Sequence, residues 1–174
     1  MSSPDGTSAP LPAPTPTSTS TPAHRPVVRP GTGILVVSPE SRLLIVQQER
    51  DRVVDWGPLG GGLEHGEGIE ECAVREAHEE SGLRVKLVRL LSVDEFWHLG
   101  RLERVGFVFL AEPDPWPQNV SLPIVDGDTR FLDHRWIAKD EVRRFAGKDA
   151  REFWACHWPL DVRETLVRRL DVER

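Results

Sequence analysis

A chain of 174 residues is the length of one domain and is long enough to bury a core. With 22 basic against 28 acidic residues its formal charge is -6, which argues against a nucleic-acid surface as its main business, since such domains are usually basic. No apolar run approaches the roughly 18 residues of a membrane span. The two cysteines, Cys72 and Cys156, form no metal motif and read as reduced thiols of a cytoplasmic protein, a bridge between them being the other reading.

Residues 1–26 are mostly Pro, Ser, Thr and Ala, with too little apolar surface to offset ordering entropy. They predict a disordered tail, favoured over partner recruitment through Pro10 to Pro16, and residues 27–174 a single domain. Thr32 to Val37 and Arg42 to Gln48 are apolar runs split by Ser38-Pro39-Glu40-Ser41, which predicts a hairpin-like pair. Asp51 to Gly57 reads as a charged connection, with Trp56 as a packing residue. A short strand over Gly57 to Gly60 follows.

Gly61 to Leu83 is rich in glycine at its start and in helix formers at its end, so it predicts a loop running into a helix over Gly68 to Ser81, stopped by Gly82. At about 100° per residue, Ile69, Cys72, Ala73 and Ala77 share the core-facing stripe. Glu76 and Glu80 fall in the middle of that stripe and Glu79 at its edge. Three acidic side chains there repel one another and require a positive partner. Carboxylate oxygens without a companion Cys or His set suit Mg²⁺, Mn²⁺ or Ca²⁺ rather than zinc.

Leu83 to Val93 and Leu102 to Leu110 each alternate apolar and polar residues and predict an antiparallel pair. Glu112 to Pro123 is broken by four prolines and predicts an irregular loop, which contains Trp116. Asp126 and Asp128 form an acidic turn before a last strand, Phe131 to Ile137. A short helix from Lys139 to Phe145 and an amphipathic C-terminal helix over Pro159 to Val172 complete the chain. The order of elements predicts an α/β sandwich. The C-terminal helix and the tryptophans suit equally a homodimer interface or the core.

With Gly61, Glu67, Arg75, Glu76, Ala77, Glu79, Glu80, Gly82 and Leu83 in register, the stretch resembles the Nudix box, G-x5-E-x7-R-E-U-x-E-E-x-G-U, where U is a bulky aliphatic; only Ala77 is undersized. The resemblance implies an α/β/α sandwich with a mixed β-sheet, the box forming loop, helix and loop. It implies hydrolysis of the pyrophosphate bond in a nucleoside diphosphate linked to some group X, by a water that Mg²⁺ or Mn²⁺ activates. Glu76, Glu79 and Glu80 would be metal ligands, Gly61 would add its carbonyl, and Glu67, Arg75 and Gly82 would shape the box. The resemblance allows the base to be Glu79 or a distant acidic residue. Of Asp126, Asp128 and Asp133, Asp128 is the choice.

Signatures of particular subfamilies are missing. His98 and Leu99 stand where ADP-ribose pyrophosphatases tend to have proline, there is no tyrosine to match the diadenosine polyphosphate hydrolases, and the tags of coenzyme A and NADH pyrophosphatases are absent. A small-molecule nucleotide remains the expected partner, of nucleoside triphosphate or nucleotide-sugar type, with Trp97 or Trp116 as a base-stacking platform. The other class is a non-catalytic sensing or scaffold module. Such modules usually lose box glutamates, whereas Arg75, Glu76, Glu79 and Glu80 are all present here.

Overall fold

The computed structural model of the chain describes residues 27–145 and 158–171. The expected tail lies outside these residues, as do Phe153, Trp154 and Cys156. Among these residues eight strands form two four-stranded sheets. The first has the order β1-β5-β4-β8, from β1 (Arg29–Val36), β4 (Val85–His98), β5 (Arg101–Pro113) and β8 (Leu166–Asp171). The second has the order β3-β2-β7-β6, from β2 (Leu43–Arg50), β3 (Val53–Gly57), β6 (Val125–Asp126) and β7 (Thr129–Ile137). One long helix, α1 (Ile69–Ser81), precedes β4, and a 3-10 turn (Lys139–Glu141) leads into the short α2 (Val142–Phe145).

Strands buried on both faces read as continuous apolar runs, and their alternate residues enter two separate cores. Ile34, Val36, Leu44, Val46, Phe109 and Ala111 join Ala73 and Ala77 of α1 in the first. Leu35, Val37, Leu43, Ile45, Val108 and Leu110 join Val142, Trp158 and Val162 in the second. Leu44 is fully buried, which contributes roughly 1.5–3 kcal/mol at a site of this kind. The first sheet is mixed, because β1 runs parallel to β5 and β8 parallel to β4, while β4 and β5 are antiparallel as expected.

Several expectations are corrected. β1 and β2 do not pair along their length as a hairpin: the chain closes only an isolated antiparallel bridge, Val37–Leu43, between them, and they belong to different sheets. Strands with two apolar faces carry no local mark of which edge each will pair with. Asp51 to Gly57 is not a loop but a tight turn followed by β3. Asp51 and Arg52 both take positive φ, 50° and 65°, and allow Arg50 to pair with Val53. Leu99 and Gly100 do the same between β4 and β5, at 48° and 73°, so the strands extend through residues expected to be mixed. Only the second of these turns carries a glycine signal.

The expected C-terminal helix is also corrected. Residues 159–161 form a turn, and Leu166–Asp171 is a strand pairing with Ser92 to Trp97. Over those six residues burial alternates strictly, half-buried and exposed, so the period is two and the wider helical spacing does not decide. Trp56 is a packing residue, edge-on to Phe145 with ring centroids 5.4 Å apart.

Candidate functional site

The site is built on α1 and the glycine loop before it. Gly68 caps the helix N-terminus without a side chain, and its N–H donates to Glu71 Oε2 at 2.8 Å, one half of a capping box. Gly82 ends the helix in the left-handed conformation, φ 69°, with its N–H on the carbonyl of His78. The loop is tied to β1 by Thr32 N–H to Gly61 O at 2.8 Å and Ile34 N–H to Leu59 O at 2.7 Å. A Cβ on Gly60 would stand 2.2 Å from the carbonyl oxygen of Thr32, so only glycine fits there.

This approach seats the glutamates. Glu76 and Glu80 are 6% and 5% exposed, on the buried stripe with Cys72, Ala73 and Ala77, whereas Glu79 lies at the exposed edge. The Gly60 N–H donates to Glu80 Oε2 at 2.7 Å. Across from them Asp126, at the end of β6, brings a third carboxylate. Ligand oxygens of Glu76, Glu80 and Asp126 lie within 4.8 Å of one another.

Arg75 fixes the other side of the helix. Its Nε and Nη2 hold Glu67 in a fork at 2.7 and 2.9 Å, Nη1 reaches Glu76 Oε1 at 2.9 Å and Glu79 Oε2 at 2.8 Å, and Nη2 also donates to the carbonyl of Gly62 at 3.0 Å. The bonds from Arg75 and from the Glu64 N–H hold the Glu67 carboxyl down to about 2. Among the described residues Glu80 has no bonded cation, and Arg50 acts on it only through its charge. Burial, reinforced by the charges of Glu76 and Asp126, pushes it up to about 8 against the lowering effect of the Gly60 N–H. Burial likewise raises Glu76, although Arg75 opposes it.

The sequence-predicted residues are thus only partly brought together. Glu76 and Glu80 converge, but the third member of the group is Asp126 and not Glu79, which lies at the exposed edge of the helix. Asp128 points elsewhere: it is exposed and pairs with Arg50 Nε at 3.3 Å. The turn at Gly127, φ 55°, separates the two aspartates. Gly61 offers a carbonyl already bonded by Thr32. Trp97 donates to Glu95 and is covered by Arg169, 4.3 Å from its ring centre. Trp116 donates to Glu40 and packs edge-on against Trp136.

Neither tryptophan lines the two clefts that adjoin the glycine loop. One cleft, of about 490 Å³, contains Glu64, Arg75, Glu76, Glu79 and Asp126. The other, of about 470 Å³, is lined by four arginines and Phe96, and the two meet at Gly62. Its arginines were not legible as a group, because they come from four different strands. The all-oxygen group fits a hard divalent cation: two of its members are buried, and among the described residues Glu80 forms no ion pair.

Fold and site together define an α/β class in which a glycine loop and helix present carboxylates at the edge of a mixed sheet. The NUDIX domain sequence model matches residues 27–155, and the chain belongs to the Nudix hydrolase family. Among curated relatives, the NAD-capped RNA hydrolase NudC of Mycobacterium tuberculosis is 32% identical over 118 residues, covering 68% of this chain and 35% of that protein. The protein of the same name from Vibrio parahaemolyticus is 39% identical over 109 residues, covering 63% and 38%. The chain therefore spans little more than a third of the length of these relatives. A Nudix hydrolase structure from Nitrosomonas europaea superposes with a TM-score of 0.58 at 17% identity, covering 86% of this chain and 82% of that one, which shows the shared fold. A MutT Nudix hydrolase from Burkholderia pseudomallei gives 0.54 at 27% identity, covering 66% and 85%. Among the described residues no helix is long and apolar enough to cross a membrane.

Proposed function

We propose that the protein hydrolyses the pyrophosphate bond of a nucleoside diphosphate linked to a further group, in a reaction that requires Mg²⁺ or Mn²⁺. The observation that carries this reading is the approach of Glu76, Glu80 and Asp126 to within 4.8 Å in a chain of the Nudix family. A divalent cation held there supplies charge neutralisation on the diphosphate, polarisation of phosphorus and acidification of water.

The chain's own residues do the rest. Glu76, Glu80 and Asp126 hold the cation, and the Gly60 N–H orients Glu80 by binding Oε2. Arg75 orients Glu76 and Glu79 from a single Nη1. Glu79 lines the same cleft outside the carboxylate group, and with Oε2 on Arg75 its Oε1 accepts the proton of the attacking water. The glycine loop lets backbone come close to an anionic substrate. Asp128 is left outside this assignment by its pairing with Arg50.

Relatives named NAD-capped RNA hydrolases bring a dinucleotide and an RNA 5′ end into the range of substrates, so the expectation that nucleic acid plays no part becomes a matter for assay. The decisive measurement is release of monophosphate or phosphate from nucleoside triphosphates, a nucleotide sugar, NAD⁺ and NAD-capped RNA, with Mg²⁺, Mn²⁺ or EDTA. Release is expected only with a divalent cation and falls about 100-fold or more in Glu80→Gln. Release that ignores this substitution removes the metal assignment; no release from any substrate returns the chain to the sensing class.

A further inference from the structure

The second cleft carries an excess of positive charge in a chain that is negative overall. Gly31 and Gly106, directly opposed across β1 and β5, line it, and each lets a neighbour close in: a Cβ on Gly31 would stand 2.8 Å from the Gly61 carbonyl oxygen and one on Gly106 3.2 Å from the Phe96 ring. Arg29, Arg50, Arg104 and Arg168 face Asp94 as the one carboxylate of the lining. Asp94 is already committed: it is buried, and Arg168 holds both its oxygens through Nε and Nη2. Arg50 is bonded to Thr129 and Asp128.

Among the described residues Arg29 and Arg104 have no such partner. They are direct neighbours in the register of β1 on β5, and like charges placed side by side on a sheet destabilise it. Arg104 lies 4.0 Å from the centre of the Phe96 ring, and among the described residues neither guanidinium is bonded to a carboxylate. Arg104 is reached by solvent yet set in a concavity, and partial desolvation, followed by the charge of Arg50, holds its pKa below the usual guanidinium value. Two guanidinium groups side by side, neither bonded to a carboxylate among the described residues and flanked by a flat ring, in a cleft that shares Gly62 with the one lined by Glu76 and Asp126, match phosphate oxygens.

We propose that this cleft binds a phosphate-bearing part of the substrate beyond the cleaved bond, so that a substrate whose linked group is anionic is preferred over one whose linked group is a neutral sugar or a cation. The inference rests on the hydrolase reading above and adds the class of the linked group. Two sources share this chemistry, the terminal phosphate of a nucleoside triphosphate and the next phosphodiester of a 5′-triphosphorylated oligonucleotide.

The test begins without metal or turnover. Inorganic tripolyphosphate is titrated calorimetrically into the full chain in EDTA, where the carboxylate group repels it. Saturable binding is expected, weakened at least about tenfold in Arg104→Gln and in the exposed Arg29→Gln, and unchanged in Arg84→Gln, which lies outside the cleft. With Mg²⁺, KM for a nucleoside triphosphate or a triphosphorylated dinucleotide should rise at least about tenfold in Arg104→Gln while kcat and the kinetics on a nucleotide sugar hold. The better of the two anionic substrates identifies the source. Tripolyphosphate binding that disappears in the variants, with no hydrolysis of any substrate, keeps the anion site and removes only the hydrolase reading. Hydrolysis that treats sugar, cationic and anionic linked groups alike, with binding indifferent to Arg29 and Arg104, overturns the proposal and leaves the hydrolase reading standing.

Discussion

Gly61 lies against Glu76 so closely that a Cβ on it would stand 2.2 Å from Oε1 and 2.4 Å from Cδ of that glutamate. The glycine is what allows the buried carboxylate to sit beside the loop. In Gly61→Ala the carboxylate, the free end of a flexible side chain, swings away. The fold is expected to lose only about 1–2 kcal/mol, while hydrolysis falls about 100-fold. Gly60→Ala meets backbone, the Thr32 carbonyl at 2.2 Å, and is expected to cost on the order of 3 kcal/mol of stability. Thermal denaturation beside an activity assay separates the two; equal stability losses would contradict the assignment.

Asp126 and Asp128 stand two residues apart and are expected to behave differently. Asp126→Asn removes an oxygen from the carboxylate group and should lower activity about 100-fold and weaken the response to Mg²⁺. Asp128→Asn removes an exposed partner of Arg50 and should change activity by less than about threefold. Both are exposed, so stability should move by no more than about 0.5 kcal/mol. A larger loss of activity in Asp128→Asn would restore the choice made from sequence.

Arg75 bonds Glu67, Glu76, Glu79 and the Gly62 carbonyl at once. Arg75→Gln leaves the buried Glu76 without its cation and the loop without its tie. The expected cost is about 2–4 kcal/mol, with activity lost, as read by denaturant titration and turnover. Arg75→Lys should recover little of either, since an ammonium cannot reproduce the fork on Glu67.

Two carboxylates of the box give opposite pH dependences. Glu80 is raised from 4.5 to about 8, so the folded chain keeps a proton the unfolded chain has lost. Metal-free stability should therefore decline as pH rises from about 4.5 to about 8, and Glu80→Gln should flatten that slope. Glu67 is lowered to about 2, so its contribution is complete above 4.5 and fades as pH falls through about 2, a loss that Glu67→Gln should abolish. Melting temperatures in EDTA across this range check both, and a rising slope towards pH 8 that depends on Glu80 would refute the first.

The box helix could be placed from sequence almost to the residue. Gly68, Ser81 and Gly82 mark its ends, and the spacing of Ile69, Cys72, Ala73 and Ala77 marks its buried face. The glutamates could be assigned to that face for the same reason. Two turns could not be foreseen equally: Leu99-Gly100 has a glycine for positive φ, whereas Asp51-Arg52 has only an aspartate that tolerates it, and Arg52 is held there by the pairing of β2 with β3. β8 reads as helix in the sequence because its six residues of alternation are outweighed by the helical spacing of a longer window.

Sequence alone determined what depends on contacts within a few residues. A helix satisfies its own backbone within one turn, so α1, its caps and the inward placement of Glu76 and Glu80 follow from residues 61–83. Tertiary structure decided everything assembled from distant segments: the transfer of β1 and β2 into separate sheets, Asp126 rather than Asp128 beside the glutamates, and the meeting of Arg29, Arg50, Arg104 and Arg168 in one cleft. Strand pairing draws its hydrogen bonds from partners far along the chain, so a strand's period reveals which side is buried and not which neighbour it will have.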